Sequence, residues 1–172
     1  MHAYSSSPPG RAQPRAARLL AHLAAAGIAG LVVWEAFARL IAPLWLGFAL
    51  DPTALIQMAL GMSGLPALIL HLLTGLVAFP FAYVVILRPL AARILPNLSW
   101  LVLGVTYGVA LWVFAMYGMA SLLGGAPPFL GFAPIAWASL LGHVLLAVAI
   151  AAADAMLAGE RRSSGLPALR FR

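Results

Sequence analysis

The residues in this chain that can do chemistry are few and stand far apart. His71 and His143 each sit inside a long apolar run; Glu35 lies near the end of another, and Asp154 near the end of the run that holds His143. Ionisable groups in such surroundings are costly, so each is a functional candidate by default. Two histidines facing one another across a helical bundle are able to ligate a haem b, and His71 and His143 are the pair on offer. A chain of Glu35, His71 and His143 is also suited to passing protons or ions, with Thr74, Tyr83, Thr106 and Ser139 as polar fillers. Copper is a third option. Met58 and Met62 are one turn apart, as are Met116 and Met119, and thioether with imidazole suits Cu(I). Methionine is equally an ordinary filler of irregular apolar gaps. Against all three stands a plainer expectation, that each histidine is hydrogen-bonded to a neighbour and holds the bundle together.

The elements that must position these residues follow from composition. The chain has 172 residues, 64% hydrophobic and 8% charged, with a mean hydropathy of +1.02. A soluble domain carries about a quarter charged residues. Here lipid is the expected solvent. Four apolar runs, about 19–41, 66–87, 99–122 and 133–157, each approach or exceed the ~20 residues that cross a bilayer. The fold expected is all-α, an integral-membrane four-helix bundle, with no separate soluble domain. Residues 1–18 read as a flexible cytoplasmic tail, and 159–172 as a basic cytoplasmic tail. The run at 19–41 is too long for a signal-peptide core and ends in no clear small-residue cleavage site.

Between the first two runs, residues 42–65 are broken by Pro43, Gly47 and Pro52. Asp51-Pro52 reads as an N-cap followed by proline at the first helical position. The helix it starts, about 52–60, is too short to span and is expected to lie in the outer interface or to dip in as a re-entrant piece covered by protein. Pro80 should kink the second run or be accommodated by a neighbour. A short loop, RPLAARILPN, is expected after Leu87. Gly104 and Gly108 are spaced to let two helices approach closely.

All ten basic residues are arginine, and the net charge is +6. Arg11, Arg15 and Arg18 precede the first run. Arg88 and Arg93 follow the second, and Arg161, Arg162, Arg170 and Arg172 end the chain. The 42–65 and 124–132 connections carry none, and Arg39 lies near the far end of the first run. This alternation places both termini in the cytoplasm by the positive-inside rule and leaves nucleic acid without support. There is no cysteine, so thiolate metal sites and cysteine nucleophiles are excluded. HExxH, GxSxG and phosphate-loop motifs are absent too.

Depth then pairs the ionisable groups, at about 1.5 Å of rise per residue. Glu35 and His71 fall about six and five residues below the outer surface on oppositely running helices. Glu35 and Arg39 are spaced for an i,i+4 pair. His22 and Asp154 both fall near the cytoplasmic face. His143 lies about ten residues in, so His71 and His143 differ by roughly 7 Å in depth.

Three stretches, LGFALDP (46–52), LHLLTGLVAFPFAY (70–83) and SLLGHVLLAVAIA (139–151), resemble an uncharacterised family of small four-helix bacterial and archaeal membrane proteins. The middle one sets His71, Gly75, Pro80 and Tyr83 at the spacing HxxxGxxxxPxxY. The resemblance covers about residues 25–155. It implies four helices and a plasma-membrane location, and carries no activity. With short loops, close-packing glycines and no catalytic set, the function expected is a non-catalytic accessory subunit of a larger membrane complex, a respiratory one among the candidates. Its partners would be lipid and other integral subunits, and no cofactor is required. The alternative is a stand-alone haem b, copper or proton-handling protein of the bacterial inner membrane. A reporter fused after Arg172 is expected to be active in the cytoplasm. Periplasmic activity would overturn the count of four spans.

Overall fold

The computed structural model describes residues 15–163. Among these there is no strand, and four helices are long and apolar enough to cross a membrane. They are α1 (Ala16–Leu46), α3 (Gly64–Ile94), α4 (Trp100–Leu123) and α5 (Pro134–Ser163), with the short α2 (Pro52–Leu60) between the first two. The shortest of the four, α4, has 24 residues. At 1.5 Å per residue that is roughly 36 Å, enough for a hydrocarbon core of ~30 Å.

α1, α3 and α5 overrun their expected ends, and in α1 and α3 the helix passes a proline by widening locally. Proline cannot donate a backbone hydrogen bond and crowds the carbonyl four residues back. In α1 the turn before Pro43, Phe37–Ile41, widens to the π form, and the helix continues to Leu46. The carbonyl of Ala38 instead accepts the amide of Leu50 at 3.1 Å, which folds the chain back after the left-handed Gly47. In α3 the π turns Thr74–Ala78 and Ala82–Leu87 flank the buried Pro80. The helix then runs through Arg88-Pro89 to Ile94, where a loop was expected. Arg88 therefore projects from a helix.

The helices stand side by side in the order α3, α1, α5, α4. The central pair α1 and α5 pack along their length, α5 packs along α4, and α3 leans on α1. Missing side chains make these approaches possible. A Cβ on Gly108 would lie 2.5 Å from the Cα of Val144, and one on Gly104 would lie 3.2 Å from the Cα of Val148. The glycine pair read from the sequence is thus the seam between α4 and α5. A Cβ on Gly27 would collide with the carbonyl oxygen of Leu76. That carbonyl lies four residues before Pro80 and has lost its ordinary α-helical donor.

α3 and α4 are the ends of this row, and they meet mainly at one level. There the Tyr107 hydroxyl donates to the Phe79 carbonyl at 2.8 Å, and the Tyr83 and Tyr107 rings lie 5.6 Å apart. Below that level Tyr83, Val84 and Leu103 belong to the core. Above it the two helices part, and α2 and the 128–132 turn sit over the gap against the Phe114–Leu123 end of α4. In that turn Phe129, Leu130, Gly131 and Phe132 all have positive φ, of 51°, 53°, 63° and 56°. Three of the four are not glycine, at about 1–2 kcal/mol each. Stacking of Phe129 on Trp112 and Tyr117, and of Phe132 on Trp137, holds the turn.

Gly108→Ala should destabilise the bundle by about 1–3 kcal/mol through overpacking at the α4–α5 seam. Gly118→Ala, whose Cβ would meet only the Phe114 ring at 3.5 Å, should cost nearly nothing. Denaturant unfolding in detergent compares the two, and equal losses would remove the seam from this account.

Candidate functional site

Glu35 with His71 and Arg39, and Asp154 with His22 and Arg88, gather at the two ends of the bundle. At one end Asp154 of α5 is 2% exposed. Its carboxylate accepts from Arg88 Nη1 of α3 at 2.6 and 2.8 Å, and its Oδ1 lies 2.7 Å from Nδ1 of His22 on α1. One carboxylate thus ties three helices. The His22–Asp154 contact follows from depth alone. Arg88 was missed because Arg88-Pro89 reads as the start of a loop, and the signal that could have found it is Asp154, an acid near the same face two spans further on.

At the other end Glu35 of α1 accepts from Arg39 Nε at 2.7 Å and from His71 Nε2 of α3 at 3.0 Å. A carboxylate only accepts, so Nε2 of His71 carries the proton. Arg39 is largely exposed, so its contact contributes little, within ~0–1 kcal/mol. The expected N-cap is present as well. Asp51 Oδ1 accepts from the Thr53 amide at 2.8 Å and its hydroxyl at 2.7 Å. These bonds hold the Asp51 carboxyl below its usual range.

Between the ends, in the gap where α3 and α4 part, lies a cavity of about 660 Å³. Its wall is nearly all apolar and takes in Trp34, His71, Tyr107, Met116 and His143. His143 is buried, and its Nδ1 lies 2.8 Å from the Ser139 carbonyl. A carbonyl only accepts, so Nδ1 bears the hydrogen and Nε2 keeps its lone pair. The imidazole meets the Trp34 ring edge to face, centroids 4.9 Å apart.

The structure therefore brings His71 and His143 to one cavity, with Met58, Met116 and Met119 also in its wall. Met62 is outside it and half exposed. Met58 packs against the end of α4, where a Cβ on Gly124 would lie 3.1 Å from its sulfur. With Nε2 of His71 given to Glu35 and Nδ1 of His143 to Ser139, the lone pairs left on the two rings are those of Nδ1 of His71 and Nε2 of His143. Among the described residues no three of His, Cys, Asp and Glu are grouped to hold a metal ion. Compared with family models, curated proteins and solved structures, the chain matches none.

Removing one member of a buried ion pair costs more than removing both, because the survivor is left charged and unpaired. Arg88→Met is expected to cost about 3 kcal/mol, and adding Asp154→Leu should recover most of it. Chemical unfolding of the purified single and double variants measures this coupling. Losses that simply add would show that the contact contributes nothing.

Proposed function

We propose that this chain is a four-span protein of a bacterial plasma membrane, with both termini in the cytoplasm, acting as a non-catalytic accessory subunit of a larger membrane complex. The observation that carries the reading is how the carboxylates are used. Glu35, Asp51 and Asp154 are each committed to a partner within the chain. Groups held in this way fix helices and are poorly placed to act on a substrate. The outward faces of α1 and α3 support the same reading. Leu20, Ile28, Val32, Leu44, Leu73 and Val77 are all exposed there, on surfaces suited to lipid or to the helices of another subunit. The resemblance to small four-helix membrane proteins agrees with the architecture and adds no activity.

A second reading is favoured by one observation. The hydrogen-bonded pair Glu35–His71 borders a cavity whose wall includes His143. A stand-alone protein that handles protons would use these three residues.

The test is purification of the tagged full chain from native membranes in mild detergent, with co-purifying proteins identified by mass spectrometry. A stoichiometric set of integral membrane partners is expected, and it should survive His71→Ala and His143→Ala. A chain that purifies alone would overturn the accessory role. Loss of proton flux in vesicles on Glu35→Gln, with insertion unchanged, would establish the second reading.

A further inference from the structure

Two enclosed side-chain nitrogens have no hydrogen-bond partner among the described residues, Nε1 of Trp34 and Nε of Arg18. The indole is neutral, so leaving it unpaired costs about one hydrogen bond. The guanidinium is a cation, and arginine does not lose its charge in proteins. A charge taken out of water calls for a partner of opposite sign. None of the described acids supplies it. Asp154 is taken by His22 and Arg88, Glu35 by Arg39 and His71, and Asp51 by its own helix start. The next acid in the sequence, Glu160, is followed directly by Arg161 and Arg162.

The position of Arg18 explains why it is partly buried. It lies four residues before His22 on α1, so the two share a face. His22 faces the core, bonded to the same Asp154 oxygen that Arg88 of α3 meets. Long side chains on a helix lean toward its N-terminus, which carries the Arg18 guanidinium away from His22 and toward the end of the bundle. Arginines near helix ends ordinarily reach for water with the whole head group. Here Nε is enclosed, while the two terminal nitrogens are not among the enclosed atoms and remain open at the surface.

We infer that the end of the bundle where α1 begins and α3 ends binds an anionic phospholipid, its phosphate seated on the terminal nitrogens of Arg18. A guanidinium presents paired N–H groups that suit phosphate oxygens. The surroundings favour an anion. The described side chains at this end include Arg18, Arg88 and Arg93 against the single carboxylate of Asp154. Arg93 is exposed, and the Arg88 side chain keeps 27% of its surface while using only Nη1 on Asp154. These two supply field and not contact. The same field opposes a head group that carries an ammonium beside its phosphate. The occupant is a lipid because the exposed surface around the arginines is apolar, with Leu20 of α1, Leu90 and Ile94 of α3 and Met156 of α5 all open. An amphiphile covers both kinds of surface, and a soluble phosphate covers one. The inference rests on the chain residing in a membrane and not on its assembly with other subunits, so the co-purification experiment and the following one fail independently.

The experiment is native mass spectrometry of the full chain in detergent, titrated with phosphatidylglycerol or with phosphatidylcholine of the same acyl chains. Phosphatidylglycerol is expected to be retained about fivefold better, the contribution of one arginine to an anionic lipid near a membrane surface. Arg18→Gln should bring the two lipids level. Arg18→Lys, which keeps the charge and loses the paired donors, should keep part of the preference. Arg39→Gln removes the same charge from the other end and should leave the preference as it is. A second measurement needs no variant. Phosphatidylglycerol with a diazirine close to its head group, bound to the unmodified chain in phosphatidylcholine nanodiscs, should label the start of α1 and the end of α3. Equal retention of the two lipids would overturn the inference. A preference that Arg18→Gln leaves intact would overturn the seat. Displacement of the lipid by an equal concentration of glycerol phosphate would make this a site for a soluble phosphate and overturn the lipid. Labelling concentrated at the Glu35 end would overturn the placement, and it does so even if the Arg18 variants do not fold.

Discussion

A buried carboxylate must be answered from within the protein, and most of this bundle's arrangement follows from how Asp154 is answered. Transfer of an isolated charge from water into an apolar interior is prohibitive, and pairing with further hydrogen bonds is the remedy. Asp154 obtains two contacts from Arg88 and one from His22. Those residues belong to α3 and α1, so satisfying one side chain on α5 sets the relative height of three helices. At the opposite end Glu35 does the same for α1 and α3 through His71. Two polar clamps therefore fix the register of α3 on α1, and glycine seams fix the lateral distances. α4 has no ionic clamp among these residues. It is held by the seam at Gly104 and Gly108, by the Tyr107 hydroxyl and by Trp112, whose indole donates to the Ala136 carbonyl at 2.9 Å.

That difference explains where the cavity is. α3 is tied to α1 and α4 to α5, and nothing comparable ties α3 to α4 at the Glu35 end. The turn over the gap adds to this picture. Its left-handed residues are held by ring contacts with Trp112 of α4 and Trp137 of α5. Strained backbone of this kind tends to collect around functional sites.

Much of the fold was legible in the residues. Charge placement and hydropathy located four helices, the Asp51-Pro52 pair located α2, and depth alone paired Glu35 with His71 and His22 with Asp154. What escaped has a common cause. In an apolar solvent a helix carries hydrophobic side chains on every face, so periodicity does not say which face meets protein. The order α3, α1, α5, α4 could not be read for that reason, and neither could the gap at its open end. Trp34 was passed over because an indole in an apolar run is ordinary. Its significance is a missing partner, which only coordinates reveal. Arg88 was assigned to a loop because proline follows it, and the π turns that carry α3 past Pro80 and Pro89 leave no sequence signal of comparable strength.

The position of Asp154 along the chain has a consequence for how the protein is made. Synthesis runs from the N-terminus. His22 and Arg88 are therefore in place before Asp154 exists, separated from it by 132 and 66 positions. The acid arrives last, on the helix against which both α1 and α4 pack. Until then α4 lacks its seam, and His22 and Arg88 lack the carboxylate they bind. A chain cut short before α5 therefore keeps the Glu35–His71 clamp between α1 and α3 and the Tyr107–Phe79 bond, but leaves α4 without its seam and the clamp at the other end without its carboxylate.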